Sequence, residues 1–287
     1  MRAGAEHPKA LLIAVHYQAT AGMLELLASL RALAGFCQVQ VIIADNFSGE
    51  ERVQPIRRAI SDLCSVELLE LSANLGYFGA ARMAYHHFLA SGQSLPEWII
   101  VCNHDVVIED RKFFTKLFLS NSASAGVIAP VITIPSQHVQ QNPFMDARPG
   151  GWRRFTMRFY SSAYPLAVAW DWLSRSKRAA KLRVPVWLSA SAGSGSRRNI
   201  YAAHGAFLIF GRRFFSSGGD LDQQLFLFGE EIAIGETCRH LGLPVIFDPN
   251  LRVVHNEHQS VGPTLTRQMY QYHRRAVRHV LEKYLAS

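Results

Sequence analysis

The sequence predicts an α/β fold in which a doubly wound, mostly parallel sheet is flanked by helices. Apolar runs of strand length alternate with segments of helical periodicity through residues 10–132, which is the pattern of repeated β-α-β units. The apolar runs are nearly continuous, as expected for parallel strands that helices cover on both faces. Polar residues follow several of these runs, at the sheet edge where open α/β sheets bind ligands.

The predicted elements follow one another in a regular order. The strand patterns of the first part of the chain span residues 10–17, 39–44, 66–71, 97–102 and 126–132. The helical patterns that separate them span residues 22–34, 50–62, 76–91 and 110–120. The later part of the chain predicts a buried apolar run after residue 200, a helix over 230–241, a strand that ends at His255 and a helix over 264–285.

The composition is that of a globular enzyme with a sizeable core. The chain has 287 residues, of which 49% are hydrophobic and 18% are charged. It contains no run of about 18 apolar residues, so no transmembrane helix is predicted. The first ten residues lack the apolar core of a signal peptide, and the four cysteines have no metal-binding spacing. We therefore expect a cytoplasmic protein.

A basic and aromatic segment interrupts the α/β pattern over residues 133–200. Between Arg148 and Arg183 it carries nine basic residues and one acid, Asp171, a charge equal to the net +8 of the whole chain. Seven aromatic residues lie in the same stretch. Basic residues interleaved with aromatics suit an anionic membrane surface or a phosphorylated acceptor. The alternative is a solvated helical insertion with some aromatics packed inward.

The polar residues that follow the predicted strands are the first candidates for a binding site. The carboxyl ends of parallel strands meet at one edge of the sheet, so these side chains are expected to converge there. They are His16, Tyr17, Asp45, Asn46, Asn74, Asn103, His104 and Asp105.

Five motifs in this order resemble the inverting nucleotide-sugar glycosyltransferases of family 2, in particular the rhamnosyltransferase-like branch. The motifs are DNFS at 45–48, NLGYFGAARMAY at 74–85, NHD at 103–105, GGDLDQQLFLFGEE at 218–231 and VVH at 253–255. The resemblance covers residues 10–132 and 200–262. It implies a GT-A type fold and a single domain over 1–287. Its parts would be a nucleotide-sugar-binding half at 10–132, the basic aromatic helical insertion at 133–200, and an acceptor and catalytic half with the C-terminal helix at 201–287.

The resemblance implies a set of donor-binding residues. Asp45 would accept a hydrogen bond from the nucleobase imide, because a carboxylate only accepts and therefore selects a base edge that offers an N–H. A turn or helix-capping role is the alternative for Asp45, and a solvated helix position is the alternative for Arg82. The implied donor-binding set is His16, Tyr17, Asp45, Asn46, Asn74, Gly76, Arg82, Asn103 and His104.

The resemblance also implies a divalent metal, Mg²⁺ or Mn²⁺, on the donor diphosphate. Asp105 would be one ligand, because hard carboxylate oxygens bind such ions, and His255 would be a second that favours Mn²⁺. The NHD triplet departs from the family pattern in having only one carboxylate. A helix-capping Asp105 and a hydrogen-bonded strand-end His255 are the alternatives.

Glu230 and Glu231 are the candidates for the catalytic base. Inversion in a single displacement requires a carboxylate to take the proton of the attacking hydroxyl. Glu231 aligns with the residue that is the base in the family, where it is Asp, so the side chain here is one methylene longer. Two solvated glutamates at a helix start, favoured by the helix dipole, are the alternative. Gly219, Asp220 and Asp222 would contact the sugar and the acceptor.

The sequence therefore predicts an inverting glycosyltransferase that transfers a sugar, best matched by rhamnose from dTDP-rhamnose, to a glycan or lipid-linked glycan hydroxyl. Peripheral contact with an anionic membrane at the inner face of the cell is expected. A nucleotidyltransferase is disfavoured because residues 16–23 lack its Gly-rich basic loop. A degenerate nucleotide-sugar-binding or scaffold protein remains open because of the single carboxylate in NHD. A nucleic-acid partner is not expected, since strand-end carboxylates without a metal repel phosphate.

Overall fold

The computed structural model describes residues 8–135, 139–182, 196–256 and 266–286, and the side chains of 174–182 lie outside this description. Its strands are β1 (Ala10–His16), β2 (Val39–Asp45), β3 (Val66–Glu70), β4 (Trp98–Asn103), β5 (Val106–Val107), β6 (Val127–Ile134), β7 (Val139–Gln140), β8 (Arg198–Ile200), β9 (Phe207–Gly211) and β10 (Val245–His255). Its helices are α1 (Thr20–Arg31), α2 (Glu50–Ala59), α3 (Gly76–Ala90), α4 (Phe113–Phe118), α5 (Gly151–Ser162), α6 (Tyr164–Leu182), α7 (Arg212–Ser216), α8 (Glu230–His240) and α9 (Arg267–Lys283).

The described strands form one mixed sheet, and its main path runs β3-β2-β1-β4-β9-β6-β10-β5. The pairs β1 with β2, β2 with β3, β1 with β4, and β6 with β10 are parallel. Strand β9 is antiparallel to both of its neighbours, β4 and β6. The predicted α/β fold with a mostly parallel sheet and flanking helices is therefore confirmed.

Helices cover the sheet on both faces, which explains the continuous apolar runs of its strands. One face packs against α1, α2 and α4, with Leu26, Leu30 and Phe114 in the core. The other face packs against α3 and α8, with Phe78 and Ile234 buried. Residues buried from both sides must be apolar at every position, so the strands lose the alternating pattern of a half-exposed sheet.

The predicted helix at 110–120 is shorter in the structure, since α4 begins at Phe113. The reason is local, because Asp110 accepts a hydrogen bond from the Lys112 backbone N–H at 3.0 Å and from the Lys116 ammonium at 2.6 Å. A side chain that satisfies the backbone in a turn competes with the helix, so the residues before Phe113 stay outside it.

The described residues of the segment predicted as an insertion include the helices α5 and α6 and contribute to the sheet at the two ends of the segment. Strand β7 pairs with β6, and β8 pairs with β10. Helices α5 and α9 pack on α8 through a third apolar cluster that includes Met157, Ile232 and Val277. The loop expected at 189–199 lies outside the described residues up to residue 195. No helix of the described residues is long and apolar enough to cross a bilayer.

Candidate active site

The ends of three neighbouring parallel strands bring the predicted donor-binding residues together. The register places His16 of β1 beside Asp45 of β2, and Val15 of β1 beside Asn103 of β4. Tyr17, just beyond β1, is exposed at the rim. Convergence at this edge follows directly from the parallel register, in which strand ends are aligned.

Asp45 is buried at this edge and is held by two internal partners. His16 Nδ1 lies 2.7 Å from Asp45 Oδ1, and the Ser48 backbone N–H donates to Asp45 Oδ2 at 3.0 Å. Burial acts to raise the pKa of the Asp45 carboxyl, but the hydrogen bonds from His16 and Ser48 outweigh it and hold that pKa below its ordinary value. Asp45 is therefore an ionised group that can only accept hydrogen bonds.

Asn46 and Asn74 join the end of β2 to the start of α3. Asn46 Nδ2 donates to Asn74 Oδ1 at 2.9 Å and to the Gly76 carbonyl at 3.1 Å, while Asn46 Oδ1 accepts from the Leu75 N–H at 2.7 Å. Asn74 Oδ1 also accepts from the Gly76 N–H at 3.0 Å. The structure thus engages both amides in fixing the N-terminus of α3 beside Asp45.

The backbone conformation and the packing at Gly76 explain why this position requires glycine. Its φ is +75°, and a Cβ at this position would lie 2.3 Å from the Phe226 carbonyl oxygen. The adjacent Tyr77 N–H donates to that same carbonyl at 3.0 Å. Only glycine combines the left-handed conformation with this close backbone approach. The contact joins the donor half of the chain to the loop that precedes α8.

Asp105 and His255 meet where β4 and β10 end. His255 Nε2 lies 3.1 Å from Asp105 Oδ1, and His255 Nδ1 lies 2.9 Å from Gln141 Oε1. Both Asp105 and His255 are buried. Burial acts to raise the pKa of Asp105, but the hydrogen bond and charge of His255 hold that pKa below its ordinary value. Asp105 is therefore an anionic oxygen ligand beside an imidazole.

The hydrogen bonds of His255 bear on cation binding. With Nδ1–H donating to Gln141, Nε2 of His255 faces the acceptor-only carboxylate of Asp105. That arrangement is satisfied by a positive charge between the two atoms, either a second proton or a cation. Two ligands at about 2.1 Å from an ion in adjacent octahedral positions lie about 3 Å apart, so the pair fits a shared divalent ion.

Among the described residues no group of three or more His, Cys, Asp and Glu side chains is placed to hold a metal ion. Within the described part of the chain the ligands on offer are therefore Asp105 and His255, and an ion bound here would also use oxygen atoms of substrate and water. This donor set fits a divalent cation that binds together with a diphosphate.

Glu230 and Glu231 begin α8, after Gly229 in a left-handed conformation with φ +85°. Glu231 is buried, and the Gly205 N–H lies 3.4 Å from Glu231 Oε1. A Cβ on Gly205 would lie 3.0 Å from the Cγ of Glu230, so glycine leaves room for that side chain. The alternative stated for this pair, two solvated glutamates at a helix start, does not apply to Glu231, because Glu231 is buried.

Burial sets the protonation of this carboxyl pair. It raises the pKa of Glu231 to about 7. Burial first, and the charge of Glu231 second, raise the pKa of Glu230 well above its ordinary value. Both carboxyls are therefore weaker acids than usual, and the pair exchanges a proton near neutral pH. A carboxylate with this property can act as a general base at physiological pH.

Tyr77 of α3 contacts the segment that precedes β9. Its hydroxyl donates to the Gly205 carbonyl at 2.8 Å. Burial raises its pKa well above the ordinary value, and the charges of Cys102, Glu230, Glu231 and Asp105 act in the same direction. The candidate base and the candidate metal ligand therefore both act electrostatically on one buried phenol.

The structure places Asp220 and Asp222 in contacts within the protein. Asp220 Oδ2 accepts from Arg82 Nε at 2.8 Å, so this pair links α3 to the turn after α7. Gly219 packs against α7, where its N–H donates to the Phe214 carbonyl at 2.9 Å. Asp222 Oδ2 accepts from three side chains of the C-terminal region, which are His279, Lys283 and Tyr284 at 2.7, 2.9 and 2.8 Å.

We expect Asp222→Asn to destabilise the protein while leaving donor affinity unchanged. The substitution removes charge-assisted hydrogen bonds from a buried carboxylate, and about 2 kcal/mol of unfolding free energy is expected to be lost. The pKa of Asp222 lies below its ordinary value, mainly because bonds from His279, Lys283 and Tyr284 outweigh burial. Its contribution is therefore complete near neutral pH and lost as the pH falls below about 4. Urea unfolding at pH 7 and nucleotide titration measure the two effects. A loss of affinity at unchanged stability would contradict the assignment.

Three residues of the site were not among the candidates predicted from the sequence. Gln141 and Tyr77 reach their partners through contacts 114 and 128 positions apart in the chain. His204 stands before β9, and its Nδ1 accepts from the Ala206 N–H at 3.1 Å. Burial and then the charge of His255 lower the pKa of His204 to about 4, so it is neutral with its proton on Nε2. Only the position of His204 directly before an apolar strand could have drawn attention to it.

No family model matches the chain. Among curated proteins, it is 27% identical over 262 residues to N-acetylglucosaminyl-diphospho-decaprenol L-rhamnosyltransferases of two Mycobacterium tuberculosis strains, CDC 1551 / Oshkosh and ATCC 25618 / H37Rv. The alignment covers 88% of this chain and 77% of each relative.

Two solved structures are similar in fold. One is mannosyltransferase PcManGT from Pyrobaculum calidifontis in complex with GDP-Man and Mn²⁺, with a TM-score of 0.53, 15% identity and 89% of this chain covered. The other is GalNAc-T7 with UDP, GalNAc and Mn²⁺, with a TM-score of 0.58, 14% identity and 98% of this chain covered. The chain spans 59% and 49% of the lengths of these two proteins. The comparisons confirm the predicted GT-A type fold and the resemblance to the rhamnosyltransferase-like branch of family 2.

Proposed function

We propose that this chain, a glycosyltransferase with a GT-A type fold, transfers a sugar with inversion from a nucleotide diphosphate donor to a hydroxyl of a lipid-linked glycan. The observation that carries the proposal is the buried Glu231 carboxyl, whose pKa is raised to about 7. We assign it to one site with Asp105, because the charges of both groups act on the Tyr77 hydroxyl, and with Asp45, which lies at the same strand-end edge of the sheet as Asn103. Sugar transfer needs a general base, a group that binds the nucleobase and an anionic ligand for a metal ion, and Glu231, Asp45 and Asp105 can supply them.

In this reaction Glu231 takes the proton of the acceptor hydroxyl as its oxygen forms a bond to the anomeric carbon. The bond between that carbon and the diphosphate breaks at the same time, and the electron pair leaves with the diphosphate. Glu230 stays protonated near neutral pH, because burial and the charge of Glu231 raise its pKa. The pair therefore brings a single negative charge to the acceptor, which lowers the cost of keeping a carboxylate buried.

The proposed donor is dTDP-rhamnose. Asp45 is an ionised acceptor at the end of β2, and thymine offers the imide N–H that such an acceptor selects. Rhamnose and a lipid-linked acceptor are proposed because the curated relatives are named as L-rhamnosyltransferases of N-acetylglucosaminyl-diphospho-decaprenol. Chemically, an acceptor attached to a lipid diphosphate also fits peripheral contact with the inner face of an anionic membrane.

Asp105 and His255 are proposed to hold a divalent cation, Mn²⁺ or Mg²⁺, together with the donor diphosphate. The 3.1 Å separation of Asp105 Oδ1 and His255 Nε2 supports this, and Gln141 orients the imidazole. A cation bound there supplies positive charge to the departing diphosphate. Both solved relatives contain Mn²⁺ with a nucleotide or nucleotide sugar.

We expect Asp45→Ala to weaken binding of dTDP and UDP by about tenfold or more, because it removes a charged acceptor for the imide N–H. Thermal shift with and without nucleotide separates binding from folding, since a ligand raises the melting temperature by mass action. Asp45 also holds Ser48, so the melting temperature without nucleotide will fall as well. Ser48→Ala is the matched control, because it leaves the carboxylate in place. A nucleotide shift that Asp45→Ala leaves unchanged would reduce Asp45 to a turn residue.

A further inference from the structure

Helix α5 has an outer face made of large aromatic side chains. Trp152, Phe155 and Phe159 are spaced by three and four residues, which places them on one side of a helix. Their exposed fractions are 78%, 57% and 53%. The rings stack on one another, with centroid distances of 5.6 Å and 6.3 Å. Such a continuous exposed row is unusual on a water-facing surface.

The opposite side of α5 packs against the rest of the protein, so the aromatic row is the outer side of the helix and not its core-facing side. Met157 and Ser161 are buried there. The Tyr270 hydroxyl of α9 donates to the Ser161 carbonyl at 3.0 Å, and Arg154 Nη1 donates to the Leu285 carbonyl at 2.8 Å. Among the described residues nothing covers the aromatic row, and an exposed apolar face of this kind is typical of a binding surface.

The following helix continues the apolar surface. Val168 and Trp172 of α6 are spaced by four residues, and their exposed fractions are 41% and 70%. Trp170 stacks on Tyr160 of α5 with centroids 5.3 Å apart. Of the fourteen large apolar side chains that are exposed among the described residues, half belong to these two helices, so the exposure is concentrated on one surface.

The charge of α5 identifies the kind of partner. The helix carries Arg153, Arg154 and Arg158 and no acidic residue. Arg153 and Arg158 are exposed. Tryptophan and phenylalanine flanked by arginine suit the interface of an anionic bilayer, where rings enter the headgroup region and guanidinium groups meet phosphate. A second copy of the same face would bring arginines against arginines, which disfavours a symmetric dimer.

We propose that the aromatic row of α5 docks the protein on the surface of an anionic lipid bilayer, with Arg153 and Arg158 contacting lipid phosphates. This inference rests on the proposed function, because docking on a bilayer would bring the protein to a lipid-linked acceptor held there. Binding to lipid requires neither donor nor acceptor, so it can be measured separately from sugar transfer.

The test is flotation of the full chain with vesicles of phosphatidylcholine alone and of phosphatidylcholine with about 30% phosphatidylglycerol. We expect binding to the anionic vesicles, little binding to the neutral ones, and a decrease as salt is raised. The variant Trp152→Ser/Phe155→Ser/Phe159→Ser should bind at least about tenfold less, and Arg153→Glu/Arg158→Glu should do the same. Leu119→Ser, which changes an apolar side chain 85% exposed on another helix end, and Arg58→Glu on α2 are the controls and should bind normally.

Three outcomes would overturn the proposal. They are equal binding of the triple variant, equal binding to both kinds of vesicle, and a dimer in sedimentation that the triple variant abolishes. The residues changed are exposed, so folding is expected to be retained, and the nucleotide-induced thermal shift checks it in the same preparations. If that shift is absent in the unmodified protein while vesicles are bound, the proposed function fails and the docking surface stands.

Discussion

Glu231→Gln is expected to lower kcat by about 10² to 10⁴ while donor affinity stays within about twofold. The amide keeps the size of the side chain but cannot take a proton from the acceptor hydroxyl. Single-turnover transfer measures the loss, and nucleotide titration checks the affinity. Glu231→Asp should recover most of the rate, because the family that this chain resembles carries Asp at this position. Recovery of the rate in Glu231→Asp would show that Glu231→Gln is slow because it lacks a carboxylate, and not because the packing of the site has changed.

Glu236→Gln is the matched control on the same helix. Glu236 is also buried, but Arg148, Tyr201 and Arg239 hold its carboxylate at 2.6, 2.8 and 2.9 Å. Burial acts to raise the pKa of Glu236, and these partners hold it below its ordinary value. We expect this variant to lose stability and keep kcat. A fully active Glu231→Gln enzyme would remove Glu231 as the base, and a larger loss in Glu230→Gln would transfer the role to its neighbour.

The pH profile provides a second check on Glu231. Since the base must be ionised and its pKa is raised to about 7, kcat/KM should fall about tenfold per pH unit below that value and level off above it. This fall at acid pH reflects the coupled pair of carboxyls, so its midpoint need not be the pKa of one residue alone. If Glu231 is the titrating group, Glu231→Asp should shift the pH at which kcat/KM falls.

Asp105→Asn is expected to lower kcat/KM by about 10² or more and to weaken Mn²⁺ binding in the presence of dTDP by at least about tenfold. The amide keeps an oxygen but removes the negative charge beside His255. Mn²⁺ titration followed by electron paramagnetic resonance gives a readout that does not depend on turnover. His255→Ala should weaken Mn²⁺ more than Mg²⁺, because imidazole suits the softer ion.

Asp110→Asn provides the control for Asp105→Asn. It removes the same charge five residues further along, from a carboxylate that pairs with Lys116 at 2.6 Å on the protein surface. Normal Mn²⁺ binding is expected in that variant. If Asp105→Asn also binds Mn²⁺ normally, Asp105 acts only through its hydrogen bond to His255, and the cation site must be sought elsewhere.

The fold class and the line of strand-end residues could be predicted because both depend on local patterns. Continuous apolar runs predict buried parallel strands, and parallel strands align their ends, so Asp45 and Asn103 had to lie at the same edge of the sheet, on either side of β1. The pairing of Asp222 with side chains 57 to 62 residues later could not be predicted in this way. Neither could the approach of Gly76 to the Phe226 carbonyl, because such contacts depend on how distant segments pack.

The same limit applies to α5. Its composition predicted aromatics beside basic residues, but not which ring faces inward. Met157 and Tyr160 pack towards α9 and α6, whereas Trp152 faces out, and the difference follows only from the tertiary position of the helix. Likewise, periodicity identified the apolar run that becomes β9 but could not assign its neighbours in the sheet.

The place of β9 has a consequence for synthesis. Strand β4 ends at Asn103 and β6 at Ile134, yet the strand that lies between them is built from Phe207–Gly211. About a hundred residues must therefore be synthesised after β4 before β4 can pair with β9, its second neighbour in the sheet. Until then β4 and β6 present open edges, which are prone to pair with other chains. Contacts between segments so far apart in the chain slow folding, and the open edges of β4 and β6 stay exposed until β9 is in place.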